Sequence, residues 1–256
     1  MSRAEGIVSE ELVSIIMPAC NCGAFIGEAI RSVLAQNYDN WELLVVDDAS
    51  SDDTPPVVET FARKDPRIRY TRLPVNSGPA AARNKAMEEA KGRYFAFLDC
   101  DDRWFPEKLS RQIGLMRTEG YTFTCTAYTK IDEKGNDLGR VITPSPRLDH
   151  EGLLRVCPGN STVVFDALEL GRFRIPPIRK RNDYALWLQV IKKAGYLYGI
   201  NESLGSHRVR KGALSANKAS LVRYHWKIYR EMEAQPFLKS CYLVLYWVIA
   251  TAFRLR

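Results

Sequence analysis

Little in this chain of 256 residues marks a familiar cofactor loop. Neither Gly-x-x-x-x-Gly-Lys nor Gly-x-Gly-x-x-Gly follows the first apolar run, which closes on Pro18-Ala19-Cys20-Asn21. That argues against a P-loop NTPase and a simple dehydrogenase, because both wrap a phosphate in the backbone N–H groups of such a loop. The six cysteines (Cys20, Cys22, Cys100, Cys125, Cys157 and Cys241) form no double pair at zinc spacing. Cys20-Asn21-Cys22 stands without a second pair, so reduced thiols in a cytosolic protein are expected. No nucleic-acid motif accompanies the net charge of +7, so no nucleic acid is expected as a partner. Met1 to Glu11 is polar and acidic and lacks an apolar signal core, so export by that route is not expected. Internal repeats and low-complexity segments are also missing.

What is present is an alternation of strand and helix patterns. Leu12 to Met17 is an apolar run that Pro18 is expected to stop. Phe25 to Gln36 carries Phe25, Ile26, Ala29, Ile30, Val33 and Leu34 at helical spacing. Trp41 to Val46 reads as a second strand, ending in Asp47-Asp48. Ser50 to Pro56 sets capping side chains ahead of proline, a helix start, and that helix runs to about Lys64. Ile68 to Leu73 is a third strand. The turn Asn76-Ser77-Gly78-Pro79 opens an alanine-rich helix to about Ala90, and Tyr94 to Leu98 is a fourth strand. This rhythm implies βαβ units and a mostly parallel sheet, an α/β fold.

The second half is mixed. Pro106 to Glu119 reads as a helix. Thr122 to Lys130 and Leu138 to Ile142 read as a hairpin around Asp132 to Asn136, and Thr143 to Arg147 as a loop. Asp183 to Lys193 reads as a helix with Leu186, Trp187, Val190 and Ile191 on its apolar face. Gly205 to Lys218, basic and interrupted by Gly, Ser and Asn, reads as a flexible loop. Leu221 to Glu233 is an amphipathic helix. Phe237 to Phe253 is almost wholly apolar but shorter than the roughly 20 residues a spanning helix needs. Lys239, Arg254 and Arg256 flank it, as suits a helix lying in a membrane interface. A buried core or dimer helix is the alternative.

The residues able to carry chemistry cluster at strand ends and loops. Asp99-Cys100-Asp101-Asp102 follows the fourth strand. In extended chain Asp99 and Asp101 share a face, and two hard oxygen donors there suit Mg²⁺ or Mn²⁺ shared with a diphosphate. An Asp-rich turn capping the next helix is the alternative. Asp47-Asp48 suits either a ribose or base contact or a turn. Arg83, among Ala80, Ala81 and Ala82, suits a phosphate or base edge, or plain solvation. Asp183 opens an apolar helix, as an N-cap or as a general base. His207-Arg208-Val209-Arg210-Lys211 is dense enough in cations to clamp a diphosphate, and His207 is either a metal ligand or an ordinary surface or core residue.

Several segments, in one order, resemble the family 2 glycosyltransferases of the GT-A fold. They are Val13 to Asn21, Ser32 to Gln36, Glu42 to Asp52, Asn76 to Asn84 and Phe97 to Asp102. The resemblance is strong from about Leu12 to Leu115, weaker to about Ser220, and absent in the tail. It implies a GT-A, Rossmann-like sheet with C-terminal helices: a transferase domain over 1–220, whose nucleotide-binding half is 12–105 and acceptor-binding half 106–220, then a helical region over 221–256. It implies that Asp48 contacts the uracil or its ribose beside Pro18 and Ala19, and that Arg83 helps hold the nucleotide. It further implies Asp101 on the metal, Asp99 on the ribose or sugar, and Asp183 as catalytic base, with Asn182 where the family usually has Glu. His207 would join the metal, and Arg208, Arg210 and Lys211 would hold the diphosphate. The implied activity is single, inverting transfer of a hexose-type sugar from a UDP-sugar with Mn²⁺ or Mg²⁺. The implied acceptor is a saccharide or polyprenyl-diphosphate-linked saccharide in cell-surface polysaccharide biosynthesis, at the cytoplasmic face of the membrane. A sugar-nucleotide nucleotidyltransferase and a non-catalytic nucleotide-binding scaffold are the alternatives; the first would carry a Gly-rich loop with Arg and Lys just after strand one.

Overall fold

The structure, a computed structural model, describes residues 9–210 and 218–253. In chain order it runs β1 (Ser9–Ala19), α1 (Gly23–Leu34), β2 (Trp41–Asp47), α2 (Thr54–Ala62), β3 (Ile68–Arg72), α3 (Pro79–Glu89) and β4 (Gly92–Phe97). Then come β5 (Arg103–Trp104), α4 (Lys108–Glu119), β6 (Phe123–Ile131), β7 (Asp137–Ile142), β8 (Arg147–Leu148) and α5 (His150–Arg155). A 3-10 turn (Asn160–Thr162), β9 (Val164–Asp166), α6 (Ala167–Leu170), α7 (Asn182–Ala194) and β10 (Leu197–Arg208) follow. α8 (Lys218–Lys227) continues as a π-helical segment (Ile228–Met232), and α9 (Phe237–Ala252) closes the described chain.

One sheet holds these strands in the order β3-β2-β1-β4-β9-β6-β10-β5, with β7 on β6 and β8 on β10. β1 to β4 pair in parallel, as expected. The chain winds outward from β1 through β2 to β3, then crosses back to set β4 on β1's other side. A sheet of this kind opens a crevice at the carboxyl ends of the two strands flanking that reversal, where ligands bind. β9 runs antiparallel between β4 and β6, so the sheet is mixed beyond β4.

Side chains alternate between two cores, one on each face. Val13, Ile15 and Met17 pack with Ile26, Ile30, Val33, Leu109 and Ile113 beneath α1 and α4. Ile16, Leu44, Phe95 and Phe97 pack with Leu186, Trp187 and Val190 beneath α3 and α7. Trp187 sits at the centre, edge-on to Phe97 with ring centroids 4.8 Å apart. Truncating such a side chain typically costs about 3–5 kcal/mol.

Three expectations change. Pro18 does not stop the first strand, which continues to Ala19 in register with Asp47. Leu98 N–H donates to Ile16 O, so the even-numbered residues of β1 turn their backbone groups toward β4. β4 ends at Phe97, the partner of Ile16, so Pro18's missing N–H breaks no ladder bond. Residues 205–208 are not loop: β10 carries them parallel to β6 as far as Arg208. Lys211 lies outside the described residues. The amphipathic helix expected to Glu233 is α helix only to Lys227 and π helix to Met232.

α9 buries Ser240, Leu243, Trp247 and Ala250, with Trp247 4.4 Å from the His225 ring. Lys239 pairs with Glu151 at 2.5 Å, and Glu233 with both His150 and Lys192 at 2.7 Å, fastening the tail to α5 and α7. Its other face leaves Leu238, Tyr242, Leu245, Ile249 and Phe253 exposed. Among the described residues, no helix is long and apolar enough to cross a membrane.

Candidate active site

The crevice at the carboxyl ends of β1, β2 and β4 gathers most of the residues singled out in the sequence. Asp48 N–H donates to Ala19 O, joining the ends of β1 and β2. The Asp48 carboxylate is buried and accepts from the backbone N–H groups of Ser77 at 2.6 Å and Gly78 at 2.8 Å. It thus holds the turn that launches α3, where Gly78 takes φ 89°, a conformation open to glycine. Asp47 is also buried, accepting from the Ser50 hydroxyl at 2.5 Å and the Tyr70 hydroxyl at 2.8 Å. Pro18 and Ala19 lie beside this pair, with the Cys20 thiol and Asn76 amide on the Asp48 carbonyl.

Arg83, one turn into α3, is only 6% exposed. Its guanidinium donates to Asp99 Oδ1 at 2.6 Å and to Asn182 Oδ1 at 2.7 Å. Asn160 adds a second bond to the same Asp99 oxygen at 2.8 Å, leaving the carboxylate 28% exposed. Burial pushes the Asp99 carboxyl up to about 6; Arg83 opposes that, while Asp102, Asp101 and Asp183 add to it.

Asp101 faces Arg210, Oδ2 to Nε at 2.6 Å. Burial and the neighbouring Asp102 raise its carboxyl, against the pull of Arg210 and His207. Asp102 is 1% exposed and receives the Ser161 hydroxyl at 2.5 Å, the Arg208 N–H at 2.8 Å and His207 Nδ1 at 3.2 Å. Burial works against its charge, but His207, Ser161 and that N–H outweigh it and hold the carboxyl below its usual range. Asp102 in turn raises the His207 imidazole to about 9.

Arg208, expected to hold a diphosphate, is instead buried inside the protein. Its guanidinium donates to the Asp101, Asp132 and Glu133 carbonyls and pairs with Glu28 at 2.5 Å. The strand β10 draws it under the hairpin, where it braces the Asp101 turn. Arg210, two residues on, keeps its place beside the open carboxylate.

Asp183 occupies the first turn of α7, part-exposed, with no hydrogen bond or ion pair among the described residues. Arg181 ahead of it takes φ 59°, a left-handed conformation that costs a non-glycine residue about 1–3 kcal/mol.

The model of the glycosyl transferase family 2 matches residues 14–175. The chain belongs to that family. It is 38% identical over 230 residues to the putative teichuronic acid biosynthesis glycosyltransferase TuaG of Bacillus subtilis, covering 90% of this chain and 91% of that one. It is 36% identical over 245 residues to WfgD of Escherichia coli, named a UDP-Glc:alpha-D-GlcNAc-diphosphoundecaprenol beta-1,3-glucosyltransferase, covering 94% of each. The structure of S. aureus TarS 1–349 in complex with UDP-GlcNAc superposes with a TM-score of 0.71 at 17% identity, covering 93% of this chain and 71% of that one. The fold is therefore the GT-A fold, and the protein is a glycosyltransferase.

In this family 2 enzyme no group of three or more His, Cys, Asp or Glu among the described residues is arranged to cage a metal ion. The donor chemistry still fits a divalent cation. Hard carboxylate oxygens crowd together: burial raises Asp99 and Asp101, and repulsion from their acidic neighbours adds to it, against the arginine and imidazole cations beside them. Mg²⁺ takes one or two carboxylates and fills its shell with water and substrate phosphate, so no protein cage is needed.

Five participants carry little signal in the sequence. Asp102 stands in the acidic run, but nothing near it points to a partner. Asn160 and Ser161 lie 61 and 59 residues from theirs, in a short polar turn whose only signal is the apolar run Val163 to Phe165 behind it. Glu28 looks like an ordinary helix-surface residue, and Asn182 like a departure from a motif.

Proposed function

We propose that this glycosyltransferase moves one hexose-type sugar from a UDP-sugar to a saccharide or lipid-linked saccharide acceptor, with inversion at the anomeric carbon. One observation carries the reading: among the described residues Asp183 stands unpaired near Asp99, at the edge of a crevice whose other carboxylates are engaged. Asp183 is the general base; its carboxylate, without a partner among the described residues, is open to an acceptor hydroxyl. The acceptor oxygen bonds to the anomeric carbon as the carbon–oxygen bond to the diphosphate breaks. The hydroxyl proton passes to Asp183 and the electron pair leaves with the diphosphate.

Pro18, Ala19 and the turn held by Asp48 shape the uracil and ribose pocket. The open side of Asp99 orients the ribose or sugar, backed by Arg83. Asp101 would hold Mn²⁺ or Mg²⁺ together with the diphosphate, and His207 lies close enough to Asp102 to support that shell. When bound, such an ion supplies Lewis-acid stabilisation of the leaving charge. Arg210, with Lys211 beyond it in sequence, offers the diphosphate a cation; Arg208 positions the Asp101 turn.

The names of TuaG, in teichuronic acid biosynthesis, and WfgD, acting on a diphosphoundecaprenol-linked sugar, favour a saccharide carried on a polyprenyl diphosphate; we place that acceptor at the cytoplasmic face of the membrane. The stripe Leu238, Tyr242, Leu245, Ile249 and Phe253 on α9 fits peripheral contact with such a surface. Flotation with anionic vesicles tests it: L238Q/L245Q/I249Q is expected to abolish binding, and binding that persists rejects the contact.

The reaction itself is tested with a panel of nucleotide sugars led by UDP-glucose, Mn²⁺ and a short-chain GlcNAc-diphospholipid. Nucleotide diphosphate release from one donor is expected. Asp183→Asn is expected to lose all but a trace of it while binding UDP within about threefold of the parent. Substantial transfer by that variant places the base elsewhere.

A further inference from the structure

Arg83 touches both the carboxylate at the end of β4 and the residue beside Asp183. The two contacts come from distant parts of the chain, since Asp99 lies 16 residues from Arg83 and Asn182 lies 99. Both are short; Asn182 opens α7, and Asp99 lies two residues past the end of β4. Asn84, the next residue of α3, makes a reciprocal pair with Ile175, its amide donating to the Ile175 carbonyl at 2.9 Å and accepting its N–H at 2.8 Å. α3 therefore grips the chain at Ile175 and again at Asn182, on either side of the segment that leads into α7. Arg83 Nε is buried without a partner among the described residues, so the guanidinium is held there by these two acceptors. The chain turns into α7 through the left-handed Arg181, and Asn182 donates only weakly, to Arg179 O at 3.4 Å. The bond from Arg83 is thus the firmer of the two side-chain bonds at the first residue of α7.

We propose that Asn182 is a positioning residue: through Arg83 it fixes the start of α7, and with it the Asp183 carboxylate, relative to Asp99. Its neutral amide suits this task. It accepts from Arg83 without competing for the guanidinium charge, which stays with Asp99. A misplacement of a reacting group by about 1 Å can cost about a hundredfold in rate, so a tether of one hydrogen bond can govern turnover. The inference rests on Asp183 being the base, but its experiment separates the two.

Four proteins are compared with UDP-glucose, Mn²⁺ and the GlcNAc-diphospholipid: the parent, Asn182→Ala, Asp183→Asn and the double variant. Amide exchange at residues 182–186 and UDP affinity are measured on each. Asn182→Ala is expected to lower turnover about tenfold or more, to leave the KM for UDP-glucose and the affinity for UDP within about threefold, and to speed exchange at the start of α7. Added to Asp183→Asn, it is expected to cost nothing further, because the group it positions is gone. Asn182→Asp keeps the acceptor oxygen but competes with Asp99 for the guanidinium charge, so its turnover is expected to fall between those of the parent and Asn182→Ala. Arg83→Lys, which cannot reach Asp99 and Asn182 together, is expected to repeat the loss of turnover and the faster exchange at the start of α7, with weaker UDP binding because Asp99 also loses its partner, and serves if Asn182→Ala does not fold. Turnover within twofold of the parent in Asn182→Ala, or losses that multiply in the double variant, would overturn the proposal. An active Asp183→Asn would remove the base assignment, and with it this proposal, whereas exchange and UDP affinity would still report whether Asn182 restrains α7.

Discussion

Two acidic clusters close the strands on either side of β1 and are held in opposite ways. At the end of β2, Asp47 and Asp48 take their hydrogen bonds from groups fixed by the fold, the Ser77 and Gly78 N–H groups, Ser50 and Tyr70, and the half-exposed Arg72 stands off Asp47 at 3.6 Å. At the end of β4, Asp99 and Asp101 face cations, Arg83 and Arg210, and crowd against Asp102. A carboxylate bonded to backbone is committed to a turn. One balanced by a side-chain cation can exchange that cation for a substrate or an ion. The same residue type therefore frames the pocket on one side of β1 and meets charge on the other.

The sharpest way to break this comparison is to neutralise one member of each cluster. Asp101→Asn is expected to lower transfer from UDP-glucose by about 10²–10³-fold, the scale at which removal of a charge-stabilising group acts. Its melting temperature is expected to stay near the parent's, because the substitution mainly weakens a half-buried ion pair with Arg210. EDTA is expected to silence the parent, with Mn²⁺ or Mg²⁺ restoring it. Unchanged transfer in the variant, or indifference to EDTA, would put both clusters on the structural side.

Asp48→Asn is the mirror case. One carboxylate oxygen becomes an NH₂ facing a backbone donor at Ser77 or Gly78, so a charge-assisted bond is lost and a buried N–H is left unpaired. The expected loss of stability is about 2–3 kcal/mol by urea unfolding, with UDP affinity falling as the turn before α3 loosens. Tyr70→Phe, which removes one bond to Asp47, is expected to cost about 1–2 kcal/mol and leave transfer intact. An Asp48→Asn protein as stable as the parent would mean the turn holds itself.

How far this contrast could be read in the sequence depends on how local each interaction is. The strands before both clusters are unbroken apolar runs, and the helix after each carries its own start signal, so both clusters sit where their spacing placed them. Asp183 was legible for the same reason, as a carboxylate at the head of a strongly periodic helix. The partners were not. Ser161 reaches Asp102 across 59 residues, and β9, three residues long, gives too little pattern to announce the turn in front of it. β10 hid behind Gly199, Glu202 and Gly205, which interrupt its alternation, and its register against β6 slips twice. That is why Arg208 read as a loop cation, although the strand carries it into the interior.

His207 offers the gentlest test, because its tie to Asp102 belongs to the charged cluster yet its side chain is 47% exposed. Asp102 raises the imidazole from an ordinary 6.5 to about 9, against the effect of burial. The folded protein therefore keeps a proton that the unfolded chain releases near 6.5. The stabilisation is fully present below pH 6.5, declines above it, and is gone once pH has risen through 9. Solvent screening at a half-exposed pair keeps the effect below about 1 kcal/mol, smaller than that of Asp48→Asn. In EDTA, the melting temperature of the parent is expected to fall slightly more between pH 6.5 and 9 than that of His207→Gln, whose amide does not titrate. Parallel curves would show that Asp102 is held by Ser161 and the Arg208 N–H alone. Asp102 would then belong with Asp47 and Asp48, and the cation-balanced cluster would shrink to Asp99 and Asp101.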